Sequence, residues 1–272
     1  MDTGESGRNV VLVSIDSLRA DHCGLLGDDR GLTPTMDELA AEGVKFEAAV
    51  APGPQTFSSM PAVFTGLQRV TGTVDTYPGD SHWQRRLAAV NDHLRRHGSI
   101  AERFREMGYA TAGITPNPWT SSSSGFDRGF DHFLELNGDA DDGWLRTLVE
   151  GLPGIDENRK SVELVLDMLT GRSFFTGWEG FYDEILAVRR QLSEPYFLWV
   201  FLLDTHFPFL PSRTHRREQS RLGMYTSAIR TEKAMRGHTD SMSDAARDSM
   251  LRSYRDTVRA ADDFLDRLRS DL

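Results

Sequence analysis

Two unbroken apolar runs constrain the fold of this chain more than any other feature. One is Val10-Val11-Leu12-Val13-Ser14-Ile15, rich in β-branched residues; the other is Tyr196-Phe197-Leu198-Trp199-Val200-Phe201-Leu202-Leu203. Neither alternates polar with apolar residues, so neither reads as a strand with one wet face. Both read as strands buried on two sides, as in a parallel sheet covered by helices. Each ends in residues able to do chemistry: Asp16 after the first, Asp204-Thr205-His206 after the second. Open α/β sheets bind ligands at the carboxyl ends of their strands.

The segments between these runs alternate in type. Thr35 to Glu38 has the form of a capping box opening a helix, with Gly43 placed to end it. Val44 to Val50 alternates enough to predict a second strand. Pro52-Gly53-Pro54 is a tight loop before Thr56, and Thr56 to Phe64 reads as a short helix stopped at Thr65-Gly66. Residues 70–98 are polar with no clean period. Ser99 to Glu102 is a second capping box, Tyr109 to Ile114 a strand, and 141–192 a helical insertion or lid. Residues 243–270 form a long amphipathic helix with Met250, Tyr254, Val258, Ala261, Leu265 and Leu268 on one stripe. Strands alternating with helices predict an α/β fold: a doubly wound, mostly parallel sheet flanked by helices, forming one domain over 1–272.

Composition removes several classes of function. A net charge of −10 argues against nucleic acid, which needs basic patches to neutralise phosphates. An anionic small molecule stays possible, because its site needs only local positive charge. The single cysteine, Cys23, excludes an internal disulfide framework. No run approaches the roughly 18 apolar residues of a membrane span, and the polar start of the chain lacks a signal-peptide pattern, so a cytoplasmic location is expected.

Asp16 and Thr56 are the principal candidate site residues. A carboxylate at a strand end can hold a metal, and a hydroxyl at a helix N-terminus lies where backbone N–H groups favour an anion. Facing one pocket, the two would make an ester-cleaving centre. Plainer readings stand beside these. Thr56 can be a helix cap, Asp16 a turn residue, and His206 a partner of Asp204. His22 and Arg19 can be surface groups, with Arg19 alternatively orienting Asp16. His82, His93 and His97 read as solvated surface, and Arg252, Arg255, Arg259, Asp262 and Asp263 as the charged outer face of the last helix.

Six ordered segments resemble the sulfatase branch of the alkaline phosphatase superfamily. They are Val11 to His22, Thr33 to Phe46, Thr56 to Gly66, Gly108 to Ala112, Gly125-Phe126-Asp127, and Phe201 to Pro208. The resemblance implies a sulfatase-like α/β fold lacking its C-terminal part, and hydrolysis of small-molecule sulfate or phosphate esters. By the same resemblance Asp16 and Thr56 would hold a divalent metal, with Ca²⁺ favoured by oxygen ligands over Mg²⁺, Mn²⁺ or Zn²⁺. Thr56 would be the nucleophile, His206 would bond the anionic group, and Asn117 and Arg19 would add substrate contacts.

The chain departs from that family's pattern in four places. Thr56-Phe57-Ser58-Ser59-Met60 replaces the C/S-x-P-x-R motif, so no formylglycine is expected. Ser17 stands where a second acid is common. Thr115-Pro116-Asn117-Pro118 replaces a Lys and His. The sequence also stops before the strand that would carry the remaining metal ligands. The last departure raises an alternative: an inactive or split-gene fragment acting as a binding or structural protein. It also predicts self-association, or a partner supplying the missing C-terminal segment.

Overall fold

The computed structural model describes residues 7–68, 81–136, 177–235 and 242–272. In chain order its elements are β1 (Val10–Ile15), α1 (Pro34–Glu42), α2 (Thr56–Thr65), α3 (His82–His97), α4 (Ile100–Glu106), β2 (Ala110–Thr115), β3 (His132–Glu135), α5 (Tyr182–Arg189), β4 (Tyr196–Leu202), α6 (Arg221–Met235) and α7 (Asp244–Asp271). The described residues form two compact units. The first takes 7–14, 48–68, 81–136 and 181–201; the second takes 15–47, 177–180, 202–235 and 242–272. Most of the insertion expected over 141–192 lies outside the described residues. Within its described end, Tyr182–Arg189 is helical.

In the first unit the strands lie in the order β1-β4-β2-β3. β2 runs parallel to β4, with Ala112 opposite Leu198, and parallel to β3, with Ala112 opposite His132. Central β4 is buried along its whole length, as an unbroken apolar run requires. The core is aromatic: Trp199 meets Phe64 edge-on at 4.6 Å, and Phe197 stacks on Phe104 at 4.4 Å. The Trp199 indole N–H donates to Ser14 Oγ, which gives the buried ring's polar edge a partner. Gly113 is required where β2 passes under two rings, since a Cβ there would meet Phe130 and Phe133 at 3.0 Å. Gly129, at φ +84°, lies against helix α4; its Cβ would come within 2.2 Å of the Glu102 nitrogen.

The Ser99–Glu102 capping box forms as expected, each side chain bonded to the other's backbone N–H. Two sequence expectations fail in this unit. Residues 82–97 are a helix, not unstructured polar chain, opened by a Ser81–Gln84 capping box. That helix buries Val90, His93 and Leu94, so few apolar positions carry its packing and the rest of its surface is charged. His93 is accordingly not a solvated group: it is buried, with Nε2 3.0 Å from Thr65 Oγ1.

The second unit gathers α1, α6 and α7. Helix α7 starts on a Ser243 cap and buries Tyr254, Val258, Ala261 and Leu268 of its predicted stripe. Tyr254 and Val258 pack with Leu32. Its expected charged outer face is partly internal. Asp256 is fully buried, and Arg255 and Arg259 close on Glu218 at 2.6 Å each.

Helix α1 begins one residue before its expected cap, because Pro34 is suited to the first helical position. The N-cap residue Thr33 makes no side-chain cap. The carboxylate of Asp262, buried on α7, does that work: it accepts the Thr35 N–H at 3.0 Å and the Met36 N–H at 2.9 Å. Gly43 ends α1 at φ −122°, not in the left-handed region. The strand expected over Val44–Val50 is absent, and Val44, Phe46 and Val50 are 76–87% exposed. Alternation marks a face that could be buried, but supplies no neighbouring strand to bury it. Among the described residues no helix is long and apolar enough to cross a membrane.

Candidate active site

The first unit holds Thr56 and Asn117. Gln55 caps helix α2 in a box with Ser58, leaving Thr56 as the first helical residue rather than the cap. Asn117 follows β2 at the sheet's carboxyl end and is 5% exposed. Its Oδ1 accepts the Trp119 N–H at 2.9 Å, and its own backbone N–H donates to Thr115 Oγ1. With Oδ1 so engaged, the amide group is oriented, and Nδ2 donates toward Thr56 Oγ1 at 3.4 Å. A buried amide is thus aimed at a hydroxyl on the first turn of a helix, where N–H groups favour negative charge.

The second unit holds Asp16, Arg19 and His206. The Asp16 backbone is clamped twice, its N–H donating to Leu202 O at 3.0 Å and its carbonyl accepting from the Thr205 hydroxyl. Ser17 follows at φ +61°, the one non-glycine residue in the left-handed region among the described residues. Its hydroxyl donates to Asp16 Oδ1 at 3.3 Å. Such a backbone persists only where its surroundings enforce it. Here Tyr254 of α7 does so, its hydroxyl donating to Ser17 O at 2.9 Å and accepting the Arg19 N–H at 2.8 Å. Burial pushes the Tyr254 phenol up to about 12, so it stays a neutral donor.

The Arg19 guanidinium pairs with exposed Asp21 at 2.6 and 2.9 Å. That hydrogen bond raises Arg19 and, with a second from His22, holds Asp21 well below the usual carboxylate range. His22 itself is buried, not a surface group. Next to it, burial pushes the Cys23 thiol up to about 11, which leaves it unreactive. His206 is exposed, with Nδ1 2.6 Å from Phe207 O. That contact assigns the ring proton to Nδ1 and leaves Nε2 as the nitrogen open to a ligand. Arg19 and His206 border a cleft of about 270 Å³ whose walls include Phe207, Phe209, Met250 and Leu251.

Behind His206 lies a buried ionic cluster. Asp204 Oδ1 accepts the Trp178 N–H at 3.2 Å, while Oδ2 is enclosed without a hydrogen-bond partner. Burial pushes Asp204 up to about 7; the Glu179 charge adds to this, and the Trp178 N–H and His215 oppose it. His215 lies between Glu179 and Asp263, 2.9 Å from each. The bond to Glu179 foremost holds His215 above its ordinary value. Burial pushes Glu179 upward, but its bonds to His215 and Ser212 bring it to a net position below the usual range.

Of the residues singled out in the sequence, the structure joins Thr56 to Asn117 in one unit and places Asp16, Arg19 and His206 in the other. Sequence reasoning missed Thr205 and Tyr254 as the groups that hold the Asp16 loop. Tyr254 did carry a signal: a phenol on an otherwise apolar helical stripe needs a buried hydrogen-bond partner. For a metal, Asp16 and Thr56 offer two oxygen donors in different units. Among the described residues no three His, Cys, Asp or Glu side chains converge on a common point. These residues do not by themselves complete a metal site.

A parallel sheet flanked by helices, with Asp16 following β1 and Asn117 following β2, defines an α/β fold of the hydrolase type. The pattern of the Sulfatase family matches residues 8–272, and the chain belongs to that family. It is 32% identical over 104 residues to an arylsulfatase of Clostridium perfringens (strain 13 / Type A), a stretch covering 38% of this chain and 19% of that protein. Among solved structures it resembles the phosphonate monoester hydrolase of Agrobacterium radiobacter, with TM-score 0.60 and 19% identity over 98% of this chain and 59% of the other. It also resembles the C-terminal periplasmic domain of EcEptC from Escherichia coli in complex with Zn, with TM-score 0.58 and 17% identity over 99% and 60%. The chain therefore spans about three fifths of those structures. They belong to the alkaline phosphatase superfamily, whose fold this chain shares.

Proposed function

We propose that the protein hydrolyses anionic monoesters, phosphate in preference to sulfate, with Thr56 as the nucleophile. The observation that carries this reading is the buried Asn117 amide directed at the Thr56 hydroxyl on the first turn of α2. In the proposed reaction Thr56 Oγ1 attacks phosphorus and gives up its proton to solvent, the bond to the ester oxygen breaks, and a phosphothreonine forms. A solvent proton neutralises the departing oxygen, and water then attacks the phosphothreonine, releasing phosphate and restoring the Thr56 hydroxyl. Asn117 Nδ2 bonds the reacting group as charge builds on its oxygens. The family match over residues 8–272 supports a hydrolytic reading of the chain.

A divalent cation is the family expectation that these residues support least, since two donors fall well short of the six or more oxygens that Ca²⁺ takes. No step is assigned to one. The test is turnover of 4-nitrophenyl phosphate and 4-nitrophenyl sulfate by the wild type, Thr56→Ser and Thr56→Ala, with and without EDTA. Thr56→Ala is expected to lower kcat by about 10³ or more, the scale seen when a nucleophile is removed. Thr56→Ser should keep part of the activity. Turnover by Thr56→Ala within about twofold of wild type would overturn the assignment, and loss of wild-type activity in EDTA would show that a cation takes part after all.

A further inference from the structure

The Asn117 amide acts as a donor toward Thr56 only if Nδ2, and not Oδ1, faces that hydroxyl. Half a turn about the last side-chain bond exchanges the two atoms at almost constant shape, so the bonds to neighbours choose between them. A backbone N–H can only donate. The Trp119 N–H, 2.9 Å from Oδ1, therefore holds the oxygen away from Thr56 and turns Nδ2 toward it. The loop is closed on itself around this amide. Asn117 caps the 3₁₀ turn Pro118–Thr120; its N–H donates to Thr115 Oγ1 at 3.1 Å, and its carbonyl accepts from the Thr120 hydroxyl at 3.1 Å. The Thr115 hydroxyl is left to donate to Thr120 Oγ1 at 2.6 Å, and both threonines are buried.

These bonds orient the amide inside its own loop. They do not set how far the loop stands from α2, which carries Thr56. The Trp119 indole spans that gap. Its ring centre lies 5.1 Å from that of Phe57, the residue after Thr56 on α2, and 3.8 Å from that of Trp83 on α3. Arg86, one turn beyond Trp83, places its guanidinium 4.4 Å over the Phe57 ring and so ties α3 to the same aromatic group. All these residues lie in the first unit. We propose that Trp119 is the positioning residue of Asn117: its N–H selects the donor face of the amide, and its indole, held against Phe57 and Trp83, sets the distance from that donor to Thr56. Without this grip the turn loosens and the amide can present Oδ1, an acceptor that repels the oxygens of an anionic ester. The loss falls on the chemical step rather than on binding, because Asn117 bonds the reacting group as charge builds. A displacement of about 1 Å is enough to cost about a hundredfold. The inference rests on the role proposed for Asn117, but the state of the amide can be read without turnover.

The decisive experiment is a double-mutant cycle. Wild type, Trp119→Ala, Asn117→Ala and the protein with both changes are compared in kcat and KM for 4-nitrophenyl phosphate, with Trp119→Phe as the conservative variant, each checked for native far-UV dichroism. Protein labelled with ¹⁵N-asparagine reports the Asn117 side-chain amide, assigned by its disappearance in Asn117→Ala. Expected for Trp119→Ala are a fall in kcat of about tenfold to a hundredfold, KM within about threefold of wild type, and shifted Asn117 amide resonances. Trp119→Phe should restore most of the kcat and the resonance positions. In the Asn117→Ala background Trp119→Ala should change kcat by less than about twofold, because the group it positions is gone. Should Trp119→Ala fail to fold, Trp83→Ala carries the same cycle: Trp83 is 41% exposed, and its removal frees the indole without opening the core. Losses that multiply in the double variant, or Asn117 resonances unmoved in Trp119→Ala, would overturn the positioning role while leaving the hydrolase reading intact. Resonances that shift in a protein that turns over neither phosphate nor sulfate ester would keep the positioning role and remove the hydrolase.

Discussion

Replacing Asp204 by Asn should make the protein more stable at alkaline pH, and the size of the effect follows from where this carboxyl sits. Asp204 as a residue is partly exposed, but its Oδ2 is fully enclosed, and its neighbours include another acid, Glu179. In the folded protein it keeps its proton up to about pH 7, whereas at its ordinary value it would release it near 3.8. Between those limits the native state binds more protons than the unfolded chain, so stability falls as pH rises and the loss is complete above about 7. At about 1.4 kcal/mol for each pH unit, the ionised group costs on the order of 4 kcal/mol at pH 8. Asparagine keeps the Oδ1 acceptor for Trp178 and removes the charge, but it buries an amide without a partner at a cost of about 1–2 kcal/mol. The net gain expected at pH 8 is about 2–3 kcal/mol, and it turns into a loss of about 1 kcal/mol near pH 4, where the carboxyl is protonated and only the amide cost remains. Urea unfolding of both proteins at pH 4, 5.5, 7 and 8.5 measures it, and taking the difference removes the contributions of titrating groups that do not interact with Asp204. A stability difference constant to within about 0.5 kcal/mol over that range would refute the argument.

Four further outcomes are expected. His215→Gln should destabilise more at pH 5.5 than at pH 9: a histidine raised above 6.5 contributes fully below that value and loses its contribution as pH climbs through its native pKa. Asp262→Ala strands two helix N–H groups in a buried site and should lower stability by about 2–3 kcal/mol, read as a shift of the urea midpoint at constant m-value. Gly129→Ala combines a positive φ with a Cβ pressed into the α4 backbone; a loss of about 2–4 kcal/mol is expected by the same method. Tyr254→Phe should cost about 1–2 kcal/mol through the unpaired Ser17 carbonyl and Arg19 N–H, read by the same method.

The sequence made visible whatever depends on local pattern. Val10–Ile15 and Tyr196–Leu202 were readable because a strand buried on both faces leaves a continuous apolar run. The Ser99 box was readable because cap and partner lie three residues apart. The helix at 82–97 escaped although Ser81 and Gln84 have the same spacing, because its buried stripe is narrow and its charged residues blur the period. Val44–Val50 misled in the other direction, since alternation without a partner makes no strand. At the site, Thr56 and Asp16 were picked out from their places at element ends. Asn117 entered only through the family resemblance, because nothing local reveals that a loop amide is buried and aimed at a hydroxyl many residues away. Tyr254, Thr205 and Asp262 act across similar gaps, and no window along the chain contains both ends of such a contact.

The Asp262 carboxylate and the helix it caps are 227 residues apart, and Tyr254 is 237 residues from the carbonyl it holds. During synthesis the N-terminal helix and the Asp16 turn must therefore wait, without their closing contacts, until that late stretch has left the ribosome tunnel. Contacts so distant are slow to find, and a nascent chain kept open that long shows its exposed Val44–Val50 segment to chaperones and to its neighbours on the same polysome.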